Sequence, residues 1–335
     1  MINEIKERMR RFPKIDKDGY KKLEEFINSH KGKLSEIEQA RLKSEWRIIC
    51  QTDVAELFLF ALECCKNMNG KIHFRGVLNN SYLAFILGIT RVDALSYNLP
   101  FERFLCACKR QIPPLTMVVN QGEKGKLING LYETYGWERI GRSEDDENSF
   151  VISEKMLGEY CQDTKIKLHA AVGQTVWREQ ILPLTVREAE HKQLYVFEIL
   201  EGKVFEKYRC PTEWELHKFA LKWFRDRNME YSIETYNGSL DLRKILAHTN
   251  NRCLYQEQFM QICIEVVGVD GTTAEQWRKD ICIHRPKKMQ EIKEFFENKL
   301  GADGVKLYEY LSRNARYMIA KGYLAGEFVN ADELE

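Results

Sequence analysis

The stretch from Arg75 to Leu105, RGVLNNSYLAFILGITRVDALSYNLPFERFL, constrains the fold more than any other part of the chain. Its first half carries an apolar stripe (Leu83, Phe85, Ile86, Leu87 and Ile89) that only a buried element hides from water. Its second half reads as a loop punctuated by Asn98 and Pro100, followed by the short amphipathic run PFERFL. Such a segment needs a core built around it, and 335 residues suffice for one large or two modest domains.

The flanking sequence is periodic. Tyr20, Leu23, Phe26 and Ile27 predict one helix, and Leu42, Trp46 and Ile49 predict another over 36–49. The apolar run 53–65 predicts a buried helix opening at the N-cap candidate Asp53. Asn69 and Gly70 then predict a turn into the short strand KIHF. Further on, WELHKFALKWFRDR is helix-like, with a turn at Asn237 and Gly238.

Lys plus Arg number 51 against 50 Asp plus Glu, so bulk attraction to nucleic acid is not expected and any contact rests on local basic patches. No apolar run is long enough for a membrane span, and Met1 opens the charged segment INEIKERMRR. The expectation is a soluble, cytoplasmic protein. The 10 cysteines contain no CxxC pair, and Cys282 with His284 forms a CxH pair without a partner pair, so reduced, mostly buried thiols are expected.

The order RG…S…LGIT…VD…Y…L.FERFL resembles the palm of the bacterial DNA polymerase III alpha subunit, the C family of replicative polymerases. Upstream, ARLKSEWRII resembles the family's preceding helix through Arg41, Leu42, Glu45 and the apolar pair Ile48–Ile49. The resemblance implies a Gly-Ser-rich loop cradling the incoming triphosphate, where small residues let backbone N–H groups approach phosphate. Arg75, Gly76 and Ser81 stand in that pattern. Val77 and Leu78 replace its Ser and Gly, and Asn79 and Asn80 occupy two more small positions, so the phosphate-binding surface is expected to be lost.

After its Phe-Glu-Arg-Phe-Leu the family carries Pro-Asp-Ile-Asp-x-Asp-Phe, whose aspartates hold two magnesium ions for phosphoryl transfer. Here residues 113–119 read PPLTMVV, which leaves Pro114, Thr116 and Val118 as degenerate metal-site positions. The resemblance resumes at LINGLYETYGWERIG. A third aspartate, which follows a lysine in the family, aligns with Arg209 after Lys207 and Tyr208. No metal, no other cofactor and no catalytic residue is therefore expected. Glu144, Asp145, Asp146 and Glu147 read as a solvated loop, with a rebuilt cation site as the competing reading. His169, in KLHAAVG, matches the family's His-Ala-Ala-Gly strand and otherwise reads as a core histidine.

DLRKILAHTNNRCLYQEQFMQICIEVVG resembles the first fingers segment through Tyr255, Gln256, Glu257, Gln258 and Met260. AEQWRKDICIHRPKKM resembles the basic fingers loop: Arg278 and Lys279 occupy its paired arginines, Ile283, His284 and Arg285 its lysine triplet, with Pro286, Lys287, Lys288 and Met289 following. In KLYEYLSRNARYMIAKGYLAG, Tyr317 and Lys321 are kept, while Gly322 and Tyr323 replace a Ser and a His. The resemblance thus covers about residues 36–326 and implies an α+β fold, a nucleotidyltransferase-like palm with a mixed sheet plus a mainly helical fingers domain. The implied division is a charged helical segment over 1–50, a palm-like domain over 51–210 and a fingers-like domain over 211–335.

The vestigial DNA- or nucleotide-binding set is Arg75, Gly76, Ser81, Arg278, Lys279, Arg285, Lys287, Lys288 and Lys321. The first functional expectation is a catalytically inactive relative of the alpha subunit that binds DNA, weakly and salt-sensitively, or a replisome component through the basic cluster. A solvated helix face is the plain alternative for that cluster. An active polymerase with an unrecognised site, and a regulatory interaction module without nucleic-acid contact, are the competing functions. No membrane partner is expected.

Overall fold

The computed structural model describes residues 18–69, 72–107, 115–119, 123–136, 140–142, 149–153, 181–188, 213, 216–218, 220–221 and 233–330. The two N-terminal apolar periodicities form α1 (Gly19–His30) and α2 (Glu36–Thr52). Ser35 caps α2 by a reciprocal box: its hydroxyl accepts from the Glu38 N–H while the Glu38 carboxylate accepts from the Ser35 N–H. The next helix, α3 (Ala55–Asn67), lies in the core as its composition requires.

Asp53 corrects the expected cap. It is the left-handed residue ending α2 (φ 55°, ψ 48°), and its carboxylate accepts from the Tyr20 hydroxyl at 2.7 Å. Asp tolerates this backbone conformation through its short polar side chain.

Strand β1 (Ile72–Arg75) follows, then a 3-10 turn over Val77–Asn80 and the five-residue helix α4 (Tyr82–Ile86). Asn98 takes the left-handed conformation at the loop where it was expected, and a 3-10 turn covers Phe101–Arg103. Beyond lie β2 (Leu115–Val119), α5 (Lys124–Tyr135), β3 (Ile140–Arg142), β4 (Ser149–Ser153) and β5 (Ile181–Glu188).

The strands form one mixed sheet in the order β1-β2-β5-β4-β3, with β2 and β5 parallel and the other pairs antiparallel. Leu115, Met117 and Val119 face the principal core, which also holds Leu57, Phe58, Phe74, Leu83 and Phe104. Leu324 and Ala325 from the far end of the chain join this core too.

Of the remaining described helices, α6 (Arg243–Leu246), α7 (Gln256–Ile262, continued by a short π-helical stretch), α8 (Gly271–Cys282) and α9 (Pro286–Asn314) build a second core, while α10 (Lys321–Asn330) packs into the first. Phe259, Ile281, Phe296, Leu307 and Leu311 are buried in the second core. The chain is α+β. Among the described residues, no helix is long and apolar enough to cross a membrane.

Helix α9 doubles back at Gly301 (φ 63°, ψ −144°), a conformation that suits glycine. Lys293 and Glu309 then pair at 3.2 Å across the two arms. The arms pack tightly at Gly304, where a Cβ would lie 2.1 Å from the Phe296 carbonyl oxygen. Cysteine usage differs from expectation at one described position: Cys106 is disulfide-bonded, whereas Cys64, Cys253 and Cys263 are buried free thiols.

A Gly304→Ala substitution is expected to force these arms apart and destabilise the protein by about 1–3 kcal/mol, read as a lower thermal midpoint.

Candidate active site

The turn expected to carry a nucleotide loop begins at Arg75. Its guanidinium stacks over the Tyr323 ring at 5.0 Å, and the residue is buried. Gly76 follows at φ 94°, ψ −146°, open only to glycine at ordinary strain. Asn79 folds inward: its amide donates to the carbonyls of Gly76 at 3.0 Å and Phe74 at 3.3 Å, and its oxygen accepts from the Thr90 hydroxyl. Asn80 donates to the Pro100 carbonyl at 3.3 Å and the Glu257 carboxylate at 3.4 Å. The turn is thus filled by its own side chains.

The start of α4 holds an anion, and that anion belongs to the chain. Glu45, from α2, accepts from Ser81 Oγ at 2.8 Å, the Tyr82 N–H at 2.8 Å and the Leu83 N–H at 3.0 Å. Ser81 Oγ also accepts from the Ala84 N–H at 3.1 Å, so Ser81 serves as a cap. Arg41 completes the set: Nε donates to Glu45 at 2.6 Å, and Nη2 donates to the carbonyls of Asn80 and Leu99 at 2.8 and 2.7 Å. A fully buried carboxylate persists only with such partners. The Ser81 hydroxyl and the first N–H groups of α4 are therefore already occupied by Glu45.

The expected metal face lies on β2. Thr116 pairs across the sheet with Arg75 on one side and Thr185 on the other; Val118 pairs with His73 and Arg187. Directly opposed residues share a face. These register positions hold no carboxylate, and two of them are arginines. These described register positions therefore offer none of the carboxylates with which a pair of magnesium ions is usually held. Among the described residues, no group of three or more His, Cys, Asp or Glu is arranged to hold a metal. Burial, with Arg75 and Arg91 adding repulsion, pushes the His73 pKa down to about 4, so this ring is neutral at pH 7. Pro114, Arg209, His169 and the acidic run 144–147 lie outside the described residues.

The basic set separates into two classes. Arg278 is not a surface residue: it is buried and doubly bonded to Glu275, at 2.7 and 2.9 Å. Burial disfavours its charge, but this pairing wins and raises its pKa. Arg103 reaches the same carboxylate at 3.5 Å and donates to Gln256 at 2.6 Å.

Lys321 is also buried. Its ammonium pairs with Glu213 and lies 5.6 Å from the centre of the Tyr255 ring. Burial lowers its pKa, against the opposing pull of Glu213. His217 sits beside this pair, with Nδ1 3.2 Å from the Tyr255 hydroxyl and Nε2 3.6 Å from Glu213.

The others are exposed. Lys279, His284, Arg285, Lys287 and Lys288 surround the elbow between α8 and α9, so the expected fingers loop is a helix–elbow–helix. Asp280 fixes the elbow: its carbonyl accepts from the Arg285 N–H at 3.0 Å and its carboxylate from the Arg285 guanidinium at 2.9 Å. Lys288 pairs with Glu291 at 2.7 Å. Ile283 stands among these charges, 51 % exposed.

Sequence reasoning took Glu45 and Glu257 as matched letters and missed their work. The available signal was helical spacing: Glu45 follows Leu42 by three residues and precedes Ile48 and Ile49 by three and four, which places it on the buried face of α2.

A mixed sheet followed by a helical unit is an α+β architecture. Residues 13–143 match the family described as bacterial DNA polymerase III alpha NTPase domain, and residues 211–304 match the bacterial DNA polymerase III alpha subunit finger domain. The chain is 28% identical over 163 residues to the DNA polymerase III subunit alpha of Mycoplasma genitalium, covering 43% of this chain and 19% of that relative. It is 29% identical over 122 residues to the subunit of the same name in Ureaplasma parvum, covering 35% and 13%. It is 35% identical over 75 residues to an error-prone DNA polymerase of Corynebacterium glutamicum, covering 22% and 7%. The matched stretches span less than a fifth of these relatives. The chain belongs to the family of the bacterial DNA polymerase III alpha subunit.

Two outcomes test this geometry. Glu45→Ala is expected to destabilise the protein by about 3 kcal/mol or more in urea denaturation, because Arg41 and the α4 N–H groups lose their acceptor. For His73, the folded pKa of about 4 lies below the unfolded 6.5, so the unfolded chain takes up a proton first. Stability from this residue is complete above pH 6.5 and falls by up to roughly 3 kcal/mol as pH drops towards 4, a loss that His73→Gln is expected to remove.

Proposed function

We propose that this chain is a cytoplasmic, polymerase-derived protein that binds DNA through the exposed basic elbow between α8 and α9 and does not catalyse nucleotide addition. In this reading residues 51–210 serve as the palm and 211–335 as the fingers. The supporting observation is an asymmetry between two surfaces. The elbow keeps Lys279, Arg285, Lys287 and Lys288 exposed, while the β2 positions expected to carry metal ligands are Thr116 and Val118 amid arginine register partners. Two-metal phosphoryl transfer without ligands loses several kcal/mol of transition-state stabilisation, about a thousandfold or more in rate.

The elbow suits a phosphate backbone rather than base recognition. Lys279 and Lys287 have no ion-pair partner among the described residues, and the Arg285 guanidinium remains half exposed beside Asp280. Flexible ammonium groups make salt-sensitive contacts without sequence preference. A second reading, a replication protein as partner, is favoured by Ile283, whose exposed side chain would anchor an apolar contact within the same charged rim.

Anisotropy titration with a labelled primer–template duplex separates the two. Binding is expected at low salt and is expected to weaken linearly in log–log form as salt rises. Lys279→Gln and Lys287→Gln should each reduce that slope by about 1, whereas Ile283→Ser leaves it unchanged. Absence of binding at low salt would defeat the DNA reading, and sustained Mg²⁺-dependent primer extension would defeat the non-catalytic one.

A further inference from the structure

We infer that helix α10 is a fixed plug on the 76–80 turn, seated by an exchange of side-chain volume between the two: asparagines fill the turn, and glycines clear the helix. A Cβ on Gly322 would lie 2.2 Å from Asn80 Oδ1, and one on Gly326 would lie 2.2 Å from Asn79 Nδ2. Residues four apart share a helix face, so the two glycines meet two consecutive asparagines at once. Both asparagines are completely buried. Between the glycines, Tyr323 covers the Arg75 guanidinium, and its ring would lie 3.4 Å from a Cβ on Gly76.

Two further observations point to a seat that does not open. The start of α10 is held from outside the turn: Glu257 accepts from the N–H groups of Lys321 at 2.7 Å and Gly322 at 3.2 Å, while Glu213 pairs with the Lys321 ammonium. The same Glu257 oxygen that binds Gly322 also accepts from Asn80. Meanwhile Asn80 Oδ1 is buried without a hydrogen-bond partner and faces the bare Cα of Gly322. That contact is at best a weak C–H···O interaction, and it exists only because residue 322 has no side chain. Glycine is a poor helix former, so two in one short helix need a packing reason. The asparagines supply it.

The inference deepens the reading of a non-catalytic core. It depends on that reading only for identifying the turn with the family's triphosphate loop; the volume exchange stands independently, and failure of DNA binding would leave it untouched. A double-mutant cycle tests the exchange. By helix propensity alone Gly322→Ala would raise the melting temperature; the plug predicts that it falls. Asn80→Ala added to Gly322→Ala should then melt at or above the single variant. Strict additivity, or a rise on Gly322→Ala, overturns the inference.

Should a variant fail to fold, hydrogen exchange on the wild-type chain carries the test. Amides 79–81 and 322–326 are expected to exchange together, through one joint opening. Adding Mg²⁺ and a deoxynucleoside triphosphate is expected to leave both rates unchanged. Independent exchange of the two segments, or nucleotide-dependent acceleration at 322–326, would mark α10 as a separate or movable lid and overturn the plug.

Discussion

Glu257 is 1 % exposed, yet from α7 its carboxylate ties down two segments remote in sequence, the N-terminus of α10 and the turn at Asn80. An ionised carboxylate in such a place is tolerable only when donors surround it, and the positive end of α10 contributes to its hold. Its neighbours extend the same arrangement. Gln258 accepts from the N–H groups of Leu254 and Tyr255, and donates to the Ile245 carbonyl and Thr249 hydroxyl. Gln256 accepts from Arg103 and donates to the Met318 carbonyl. Three consecutive polar residues thus tie together the sheet-bearing core, the helical core and the last helix.

Glu45 and Glu275 repeat this on a smaller scale. Each is buried, each is held by an arginine of its own helix, and each draws a donor from another segment: Ser81 and the start of α4 for Glu45, Arg103 for Glu275. Removing one partner of such a group is far more damaging than the net worth of the pair, because the other charge is stranded. This explains why Arg278 and Lys321, which a linear reading groups with the basic surface, sit in the interior. Their charge is needed to neutralise a carboxylate, whereas the charge of Lys279 and Lys287 faces water.

Local rules carried the sequence reading far where structure is local. The helix over 36–49 extends to Thr52, the short strand after Asn69 is β1, and Asn98 turns the chain as its residue type favours. Asp53 was misread because Asp suits both an N-cap and a left-handed C-cap, and here the helix before it won. The basic segment at 278–288 was read as a loop although it is two helix ends, since the Asp280–Arg285 contacts that make the elbow have no periodicity to detect. Glu257 and Asn80 lie 177 residues apart, and no local pattern reports such a pair. Gly322 reads as a replaced family residue because the asparagine that requires it is equally remote.

The buried polar pairs lie apart from the strand positions that the resemblance aligns with metal ligands. Clustered carboxylates repel one another when no cation sits between them, so a metal site weakens the fold that carries it. None of the buried pairs described above passes through Thr116 or Val118. At those positions a β-branched residue fits the pleated surface better than an aspartate does, and strand pairing from Arg75 to Thr185 continues across it. Replacing aspartate there removes repulsion and improves strand propensity without touching Glu45, Glu257 or Glu275. The buried acidic residues that hold this fold together, Glu45, Glu257 and Glu275, are thus distinct from the β2 positions aligned with the family's metal ligands.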